Sequence, residues 1–202
     1  PVVSSERGGV SMLVAGVIDK TGRIVLTQSH PRLRSRDHGP EYVVVWAEET
    51  GMGQDIVLTE TDVQNLMRAK AAIYAGATVL CESVGVTVAD VERVLVGGAF
   101  GRHIDVEKAI QIGLLPDLPW EQFSYLGNTS LQGAYLALTC REQRTQVDQL
   151  AAKMTYLELS ADNRFMDAFT SAMFLPHTDE NLFPSLRKTS AGRVGARGGV
   201  DV

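Results

Sequence analysis

Residues 94–101, with the sequence Val94-Leu95-Val96-Gly97-Gly98-Ala99-Phe100-Gly101, decide the fold class. Three aliphatic residues predict a buried strand, and the glycines that follow predict a tight turn at its carboxyl end. Ligands of α/β sheets bind beyond the carboxyl ends of strands, so this turn is the first candidate for a ligand site. Neither a P-loop nor the dinucleotide fingerprint fits, because no Gly-Lys-Ser/Thr follows and the glycine spacing differs. The alternative is a strand-to-helix turn without a ligand.

Upstream of this turn, the strongest periodic pattern predicts a long helix over about residues 61–84. Thr59-Glu60-Thr61-Asp62 supplies an N-cap and an acidic first turn, and Gly85 closes the pattern. Lys70 lies inside the apolar stripe and leaves two interpretations open. Its ammonium could reach water while its methylenes pack, or it could border a cleft that holds an anion such as a phosphate. The stripe consists of Val63, Leu66, Met67, Ile73, Tyr74, Ala77, Leu80 and Val84.

Strands and helices alternate along the chain, which predicts an α/β fold with a mixed sheet packed by helices. The N-terminal part is expected to hold a buried helix at Val10–Ile18 and a polar surface loop at Gln28–Pro40. The arginines of that loop are either solvated or bind an anionic partner. Further strands are expected at Tyr42–Trp46, Ile56–Leu58, Arg93–Val96 and Phe123–Leu126, of which the first two could form a hairpin. Further helices are expected at Val106–Ile112 and Ser130–Thr139. A more polar helix follows the second of these through Lys153, and another is expected at Asp162–Phe174.

A second candidate anion site is Gly127-Asn128-Thr129-Ser130, where a predicted strand meets a helix N-terminus. Free backbone amides and the positive end of the helix dipole attract anions there, although Asn128 could simply cap the helix. The histidines are scattered without metal-ligand or triad spacing, and only His103 lies beside the glycine turn. None of these elements supplies a nucleophile, a general base or a metal site.

Composition excludes several classes of protein. The 202 residues include 45% hydrophobic and 21% charged residues, which is typical of a soluble globular protein. The formal net charge of −5 argues against a duplex nucleic-acid partner, and no apolar run is long enough for a membrane helix. Cys81 and Cys140 fit neither a disulfide framework nor a zinc site, so we expect reduced core thiols and a cytoplasmic location.

Several stretches resemble one known family, the reductive activators of corrinoid proteins, in their C-terminal part. Those activators are iron–sulfur, ATP-hydrolysing proteins that return a cobalt(II) corrinoid to the cobalt(I) state used in methyl transfer. The likeness covers roughly Gly9 to Pro184. It is carried by residues 53–59 (GQDIVLT), 68–76 (RAKAAIYAG), 97–101 (GGAFG), 112–116 (IGLLP), 127–131 (GNTSL), 156–160 (YLELS) and 165–166 (FM).

The resemblance implies one lobe of the ATPase fold shared by acetate and sugar kinases, the heat-shock chaperone and actin. It implies three parts of the chain, a lead-in over 1–52, the nucleotide-side lobe over 53–186 and a flexible tail over 187–202. ATP with Mg²⁺ is the implied cofactor, and a corrinoid protein or corrinoid-dependent methyltransferase is the implied partner, with a homodimer also possible. The implied nucleotide contacts are the adenosine turn Gly97, Gly98, Ala99, Phe100 and Gly101, the helix residues Arg68, Lys70 and Tyr74, and Asn128.

The sequence also lacks two features of the family. Relatives carry an N-terminal ferredoxin-like domain with four cysteine ligands and phosphate motifs of the form Asp-Ile-Gly-Thr-Asn-Gly, and neither occurs in this sequence. We therefore expect a truncated C-terminal piece, with the iron–sulfur cluster only in the missing N-terminal region. Such a piece is predicted to hydrolyse ATP negligibly, because positioning is nearly all of phosphoryl-transfer catalysis.

Two other functions remain open from the sequence. One is a docking or dimerisation module whose glycine turn no longer binds nucleotide. The other is half of a phosphotransferase related to sugar and acid kinases, for which no catalytic Asp with a supporting motif is present.

Overall fold

The computed structural model describes residues 12–13, 15–25, 30–37, 39–98, 101 and 104–187. The predictions for Ala99, Phe100, His103 and the tail from residue 188 onward lie outside these residues.

The described residues form an α/β structure in which helices pack on two small sheets. The strands are β1 (Leu33–Arg36), β2 (Gly39–Val45), β3 (Ile56–Thr59), β4 (Val94–Gly97) and β5 (Phe123–Gly127). The helices are α1 (Glu60–Ser83), α2 (Val106–Gln111), α3 (Thr129–Thr139), α4 (Arg141–Ala151) and α5 (Asn163–Ala172). Within the described chain, no helix is long and apolar enough to cross a membrane.

The first sheet is antiparallel with the strand order β1-β2-β3. The predicted hairpin is confirmed, since Tyr42 pairs with Leu58 in register. The predicted surface loop at Gln28–Pro40 is wrong, because its described part contains β1 and the start of β2. The composition of this segment suggested a solvated loop, but the strand's Arg34 is partly exposed and forms ion pairs with two carboxylates. The guanidinium of Arg34 lies 2.5 Å from buried Glu41 and 2.7 Å from Asp55, and it lowers the pKa of Asp55.

The second sheet pairs β4 with β5 in parallel, with Val94 opposite Phe123. The chain crosses from one strand to the other through α2, which is the connection that a parallel pair requires. The sequence predicted that β4 is buried, and the structure confirms this for only one face of the strand. Its residues alternate, and Leu95 is 57% exposed while Val94 contributes to the core. One face of this sheet therefore lies against the core and the other is open among the described residues.

Helix α1 connects the two halves of the core. Its predicted ends are confirmed, because Thr59 caps the N-terminus through the amide of Asp62 and Gly85 has a φ of +73° just past the C-terminus. Near its start, Val63 and Met67 pack with Tyr42 in one apolar cluster. One to two turns later, α1 packs in a second cluster with α2, β5 and α5, formed by Ala71, Tyr74, Ile110, Phe123, Ala172 and Phe183.

Two smaller predictions are also wrong. The described part of Val10–Ile18 does not form a continuous helix, since residues 15–17 turn and Ile18 pairs with Ile24 as an antiparallel bridge. Gly22, with a φ of +75°, makes this reversal possible. Cys81 and Cys140 are partly exposed free thiols and not fully buried core residues.

Candidate functional site

The glycine turn lies where the two parallel strands end together. Gly97 is the register partner of Gly127, and the Gly98 amide donates a hydrogen bond of 2.7 Å to the Gly127 carbonyl. Asn128 follows directly and begins α3. The structure thus brings both predicted anion-binding segments to one edge of the β4–β5 sheet.

Each described glycine of the turn has a steric reason to be glycine. A Cβ on Gly97 would lie 2.9 Å from the Thr129 hydroxyl, and one on Gly101 would lie 2.8 Å from a Val96 methyl group. Gly98 has a φ of +102°, which L side chains rarely adopt. Of these three glycines, only Gly98 would place the added atom more than 4 Å from every described residue that is not its chain neighbour, so the open side of the turn is at Gly98.

Asn128 has the capping role that the sequence left as an alternative. Its side-chain oxygen accepts a hydrogen bond of 3.0 Å from the Leu131 amide. This contact fixes the start of α3 beside the glycine turn, so the positive end of an eleven-residue helix lies at the same edge as Gly98.

Lys70 behaves in a way that neither sequence interpretation describes. Its side chain is fully buried, so it does not extend to water. The ammonium donates hydrogen bonds to the Phe174 carbonyl and, at 2.7 Å, to the Pro176 carbonyl. Burial lowers the pKa of Lys70 to about 7. The described geometry gives this cation a structural role, which is to hold the loop after α5, here called the Pro176 loop (residues 173–177).

Gly113 also packs closely against the Pro176 loop. It follows α2 with a φ of +75°, and a Cβ there would lie 2.0 Å from the Pro176 carbonyl oxygen. No side chain fits between the two backbones. The Pro176 carbonyl therefore contacts both Lys70 of α1 and the turn that ends α2.

The remaining helix candidates have partners away from the glycine turn. Arg68 is exposed, and its guanidinium donates a hydrogen bond of 3.0 Å to Asn65. Tyr74 is buried, with ring centroids 5.4 Å from His177 and 5.8 Å from Phe183. Its pKa is raised to about 12, first by burial and then by nearby carboxylates. The structure thus brings Gly97, Gly98 and Asn128 together. Arg68 has a partner on its own helix, and Lys70 and Tyr74 both contact the Pro176 loop.

A cleft of about 870 Å³ lies at the opposite edge of the β4–β5 sheet, and sequence reasoning did not find it. Tyr74 on α1, the segment before β4, the turn before β5 and α5 contribute its walls. These segments are far apart in the chain and carry no shared motif, so no local signal could have revealed it. Among the described residues, no group of three or more His, Cys, Asp or Glu side chains could hold a metal ion.

Comparisons with known proteins agree with one another. The curated proteins similar to this chain include "Corrinoid activation enzyme RamQ" of Eubacterium limosum, 34% identical over 161 residues, which are 76% of this chain and 27% of RamQ. They also include "[Co(II) methylated amine-specific corrinoid protein] reductase" of Methanosarcina barkeri, 31% identical over 104 residues, which are 52% of this chain and 19% of the reductase.

A solved structure gives the same result for the fold. It is described as "Reductive activator for corrinoid,iron-sulfur protein" and has a TM-score of 0.83 and 47% sequence identity to this chain. The match covers 89% of this chain and 29% of that one, so the chain spans less than a third of the length of these relatives.

The family described as "C-terminal domain of RACo the ASKHA domain" matches residues 10–187, nearly the whole chain. The α/β fold, the glycine turn at the ends of two parallel strands and the structural match all agree with this assignment. The chain belongs to the family of the C-terminal ASKHA domain of corrinoid reductive activators.

Proposed function

We propose that this chain forms the adenosine side of an Mg²⁺–ATP site in a protein that reactivates corrinoid proteins. The reaction would add one electron to the cobalt(II) corrinoid and yield cobalt(I). The partner would be a corrinoid protein or a corrinoid-dependent methyltransferase. The reactivation part of this proposal is supported by the names of the relatives, which describe a corrinoid activation enzyme, a reductase of a Co(II) corrinoid protein and a reductive activator.

The observation that carries the ATP site is the open side of Gly98. This residue lies at the carboxyl end of a parallel strand, where α/β sheets bind ligands, and no described residue occupies the space that a Cβ would take. The N-terminus of α3 lies beside it and favours negatively charged groups. The proposed contacts are Gly97, Gly98, Ala99, Phe100, Gly101 and Asn128. Arg68 stays a candidate on α1, whereas Tyr74 lines the cleft at the opposite edge of the β4–β5 sheet and the Lys70 ammonium has its acceptors in the Pro176 loop.

Replacing Gly98 tests the proposed site. Gly98→Val puts a branched side chain where the nucleotide must approach, so we expect the affinity for Mg²⁺–ATP to fall at least about tenfold, or about 1.4 kcal/mol. Isothermal titration of ATP into wild-type and variant protein measures this change.

Gly39→Val is the matched control. Gly39 has a similar φ of +109° and equally open surroundings, but it lies in the β1–β2 hairpin. Both variants therefore carry the same kind of backbone strain. Equal ATP affinity in the two variants would show that the glycine turn does not contact the nucleotide.

In this proposal, the iron–sulfur cluster, electron transfer and ATP turnover depend on segments outside this sequence. Cys81 and Cys140 are too few to hold an iron–sulfur cluster of the four-cysteine type, so the cluster would be bound outside this sequence. Electron transfer and ATP turnover would require the segment that holds the cluster, and a cytoplasmic location suits the partly exposed free thiols.

One observation favours the second candidate, a docking or dimerisation module. Leu131, Tyr135 and Leu138 follow one another at spacings of four and three on α3, and all are exposed among the described residues. Such a stripe is typical of a helix face that packs against another surface. A protein that forms stable dimers and gives no heat with ATP would favour this module over the ATP site.

A further inference from the structure

Directly after the Pro176 loop, the chain forms a short arch over residues 177–182, here called the His177 arch. Its two ends are anchored, because the Pro176 carbonyl accepts a hydrogen bond from Lys70 and Phe183 is buried in the second core cluster. Its middle, residues 178–180, is exposed. Three residues of the arch line the cleft described above, namely His177, Asn181 and Leu182. A movement of the arch between its anchored ends would therefore change the shape of the cleft.

The His177 imidazole holds the arch in the form that carries no charge. Its Nδ1 accepts a hydrogen bond of 3.0 Å from the Asp179 amide. Its ring lies 5.4 Å from the Tyr74 ring and 6.4 Å from the Phe183 ring, measured between centroids. Both nitrogens of an imidazolium are donors, so a protonated His177 cannot accept this hydrogen bond. The described contacts therefore require a neutral His177.

A buried cation lies beside His177. Lys70 precedes Tyr74 by one turn of α1, and its ammonium donates a hydrogen bond to the carbonyl of Pro176, the residue bonded to His177. Lys70 carries its charge below its pKa of about 7, and a second positive charge next to it is unfavourable. Burial, followed by this lysine, lowers the pKa of His177 from its usual 6.5. Lys70 and His177 are thus both charged only in acid.

Carboxylates near the arch favour the protonated form of His177, but each already has a partner or is exposed. Asp179 attracts the imidazolium, and it also accepts hydrogen bonds from Asn181. Asp117, in the turn before β5, accepts a hydrogen bond from the Ser185 amide. The other charged groups at the arch and on the cleft walls are Glu180, paired with Lys20, Arg164, paired with Asp162, and the exposed Glu82, Asp167 and Arg187. The net effect of the surroundings is the decrease in the pKa of His177.

We propose that the His177 arch is an acid-sensitive switch that widens the cleft when His177 gains a proton. The protonated ring loses its hydrogen bond with the Asp179 amide and is repelled by the Lys70 ammonium. It leaves the Tyr74 ring and turns towards solvent, while Pro176 and Phe183 stay in place. The switch is local and does not depend on the proposed ATP site.

His30 provides an internal control in the same protein. Its Nδ1 accepts a hydrogen bond of 3.2 Å from the amide of Arg32, two residues later, and its ring lies 5.5 Å from the Tyr42 ring. This is the same local arrangement as at His177, but His30 precedes β1, whereas the Lys70 ammonium contacts the Pro176 loop. A comparison of the two histidines therefore isolates the effect of the lysine.

Nuclear magnetic resonance of the wild-type protein between pH 8 and pH 5 tests the switch directly. We expect the nuclear Overhauser effect between the His177 and Tyr74 rings to fall at least about threefold as His177 titrates, while that between the His30 and Tyr42 rings persists. A His177 that stays neutral down to pH 5 overturns the proposal, and so does one that gains a proton with its contact to Tyr74 intact. Equal losses at both histidines also overturn it, because they would show a general loosening in acid.

His177→Gln gives a second measurement. Glutamine can accept the Asp179 hydrogen bond through its amide oxygen but gains no charge in acid. Because the pKa of His177 is lowered in the folded state, the unfolded wild-type chain binds more protons below pH 6.5, and stability decreases as the pH falls. From pH 7.5 to pH 5, we expect the equilibrium constant for unfolding in urea to rise at least about threefold more in wild type than in His177→Gln.

His30→Gln is the matched control for this variant and should respond to pH as wild type does. A His177→Gln protein with the wild-type response overturns the proposal. Equally weakened responses in His177→Gln and His30→Gln overturn it as well, since the lysine beside His177 would then make no difference.

Discussion

The Pro176 loop and the α3–α4 hairpin (residues 129–151) are opposite ways of attaching a segment to the same domain. The loop has no regular structure, yet Lys70, Gly113 and the core clusters hold it from several sides. The hairpin is almost entirely helical, yet neither of its helices contains a buried residue. Regular hydrogen bonding makes a segment helical, but contacts with other segments determine how much it stabilises the fold.

The two regions also differ in how their polar groups are satisfied. In the Pro176 loop, backbone carbonyls accept hydrogen bonds from a side chain more than a hundred positions earlier in the chain. In the hairpin, the side chain of Arg144 reaches the Ala137 carbonyl, only seven residues away. We therefore expect substitutions around the loop to change the global free energy of unfolding, and substitutions in the hairpin to have local effects.

Gly113→Ala should have the largest effect. The new Cβ would overlap the Pro176 carbonyl, and the residue would keep an unfavourable positive φ. We expect the free energy of unfolding to fall by about 4 kcal/mol, as measured by urea denaturation.

Gly85→Ala is the control for Gly113→Ala, since Gly85 has a φ of +73° and no atom within 4 Å of its Cβ position. It should cost about 1 kcal/mol, from backbone conformation alone. If the two substitutions cost the same, the Pro176 loop is not held as tightly as described.

Lys70→Met should have the next largest effect. The substitution keeps the apolar stem but leaves the Phe174 and Pro176 carbonyls without their donor, at a cost of about 2 kcal/mol near pH 7. Urea denaturation measures the loss. A variant as stable as wild type would contradict the structural role of the ammonium.

The pH dependence of stability reports on the same group. Burial lowers the pKa of Lys70 from 10.5 to about 7, so between these values the unfolded chain binds more protons than the folded one. The free energy of unfolding should therefore rise with pH above 7, by at most about 1.4 kcal/mol per pH unit. The difference between wild type and Lys70→Met across pH 7–9 isolates this contribution, and a parallel pair of curves would contradict it.

Gly133→Ala should have the smallest effect. Gly133 lies within α3 with no atom within 4 Å of its Cβ position, so alanine should stabilise the helix by about 0.5–1 kcal/mol. If the hairpin opens on its own, hydrogen exchange in α3 slows while exchange of the most protected core amides is unchanged. Equal slowing in α3 and in the core would show that the hairpin unfolds together with the rest.

Local signals predicted much of the fold from sequence. The caps of α1 and α3 and the start of α2 depend on neighbouring residues, and these predictions are confirmed. The strand β1 was missed because its arginines look solvated until Glu41 and Asp55 are placed beside them.

The site was predictable only in part, for the same reason. The glycine turn and the N-cap of α3 are each recognised from a short stretch of sequence, so the ligand site at Gly98 could be predicted. The partners of Lys70, in contrast, lie in a distant part of the sequence. No periodicity argument can pair a lysine with carbonyls 104 and 106 residues away. The walls of the cleft at the opposite edge of the β4–β5 sheet likewise come from segments that are far apart in the sequence.

The large sequence separation between Lys70 and its hydrogen-bond acceptors also has a consequence for how the protein is synthesised. A ribosome releases α1 long before the carbonyls of residues 174 and 176 leave the exit tunnel. Until then the ammonium has only water as a partner, and the apolar stripe of α1 has no α5 to cover it. The nascent chain is thus exposed to aggregation and to chaperones until the Pro176 loop has emerged, and a stop codon before Pro176 would leave it in that state.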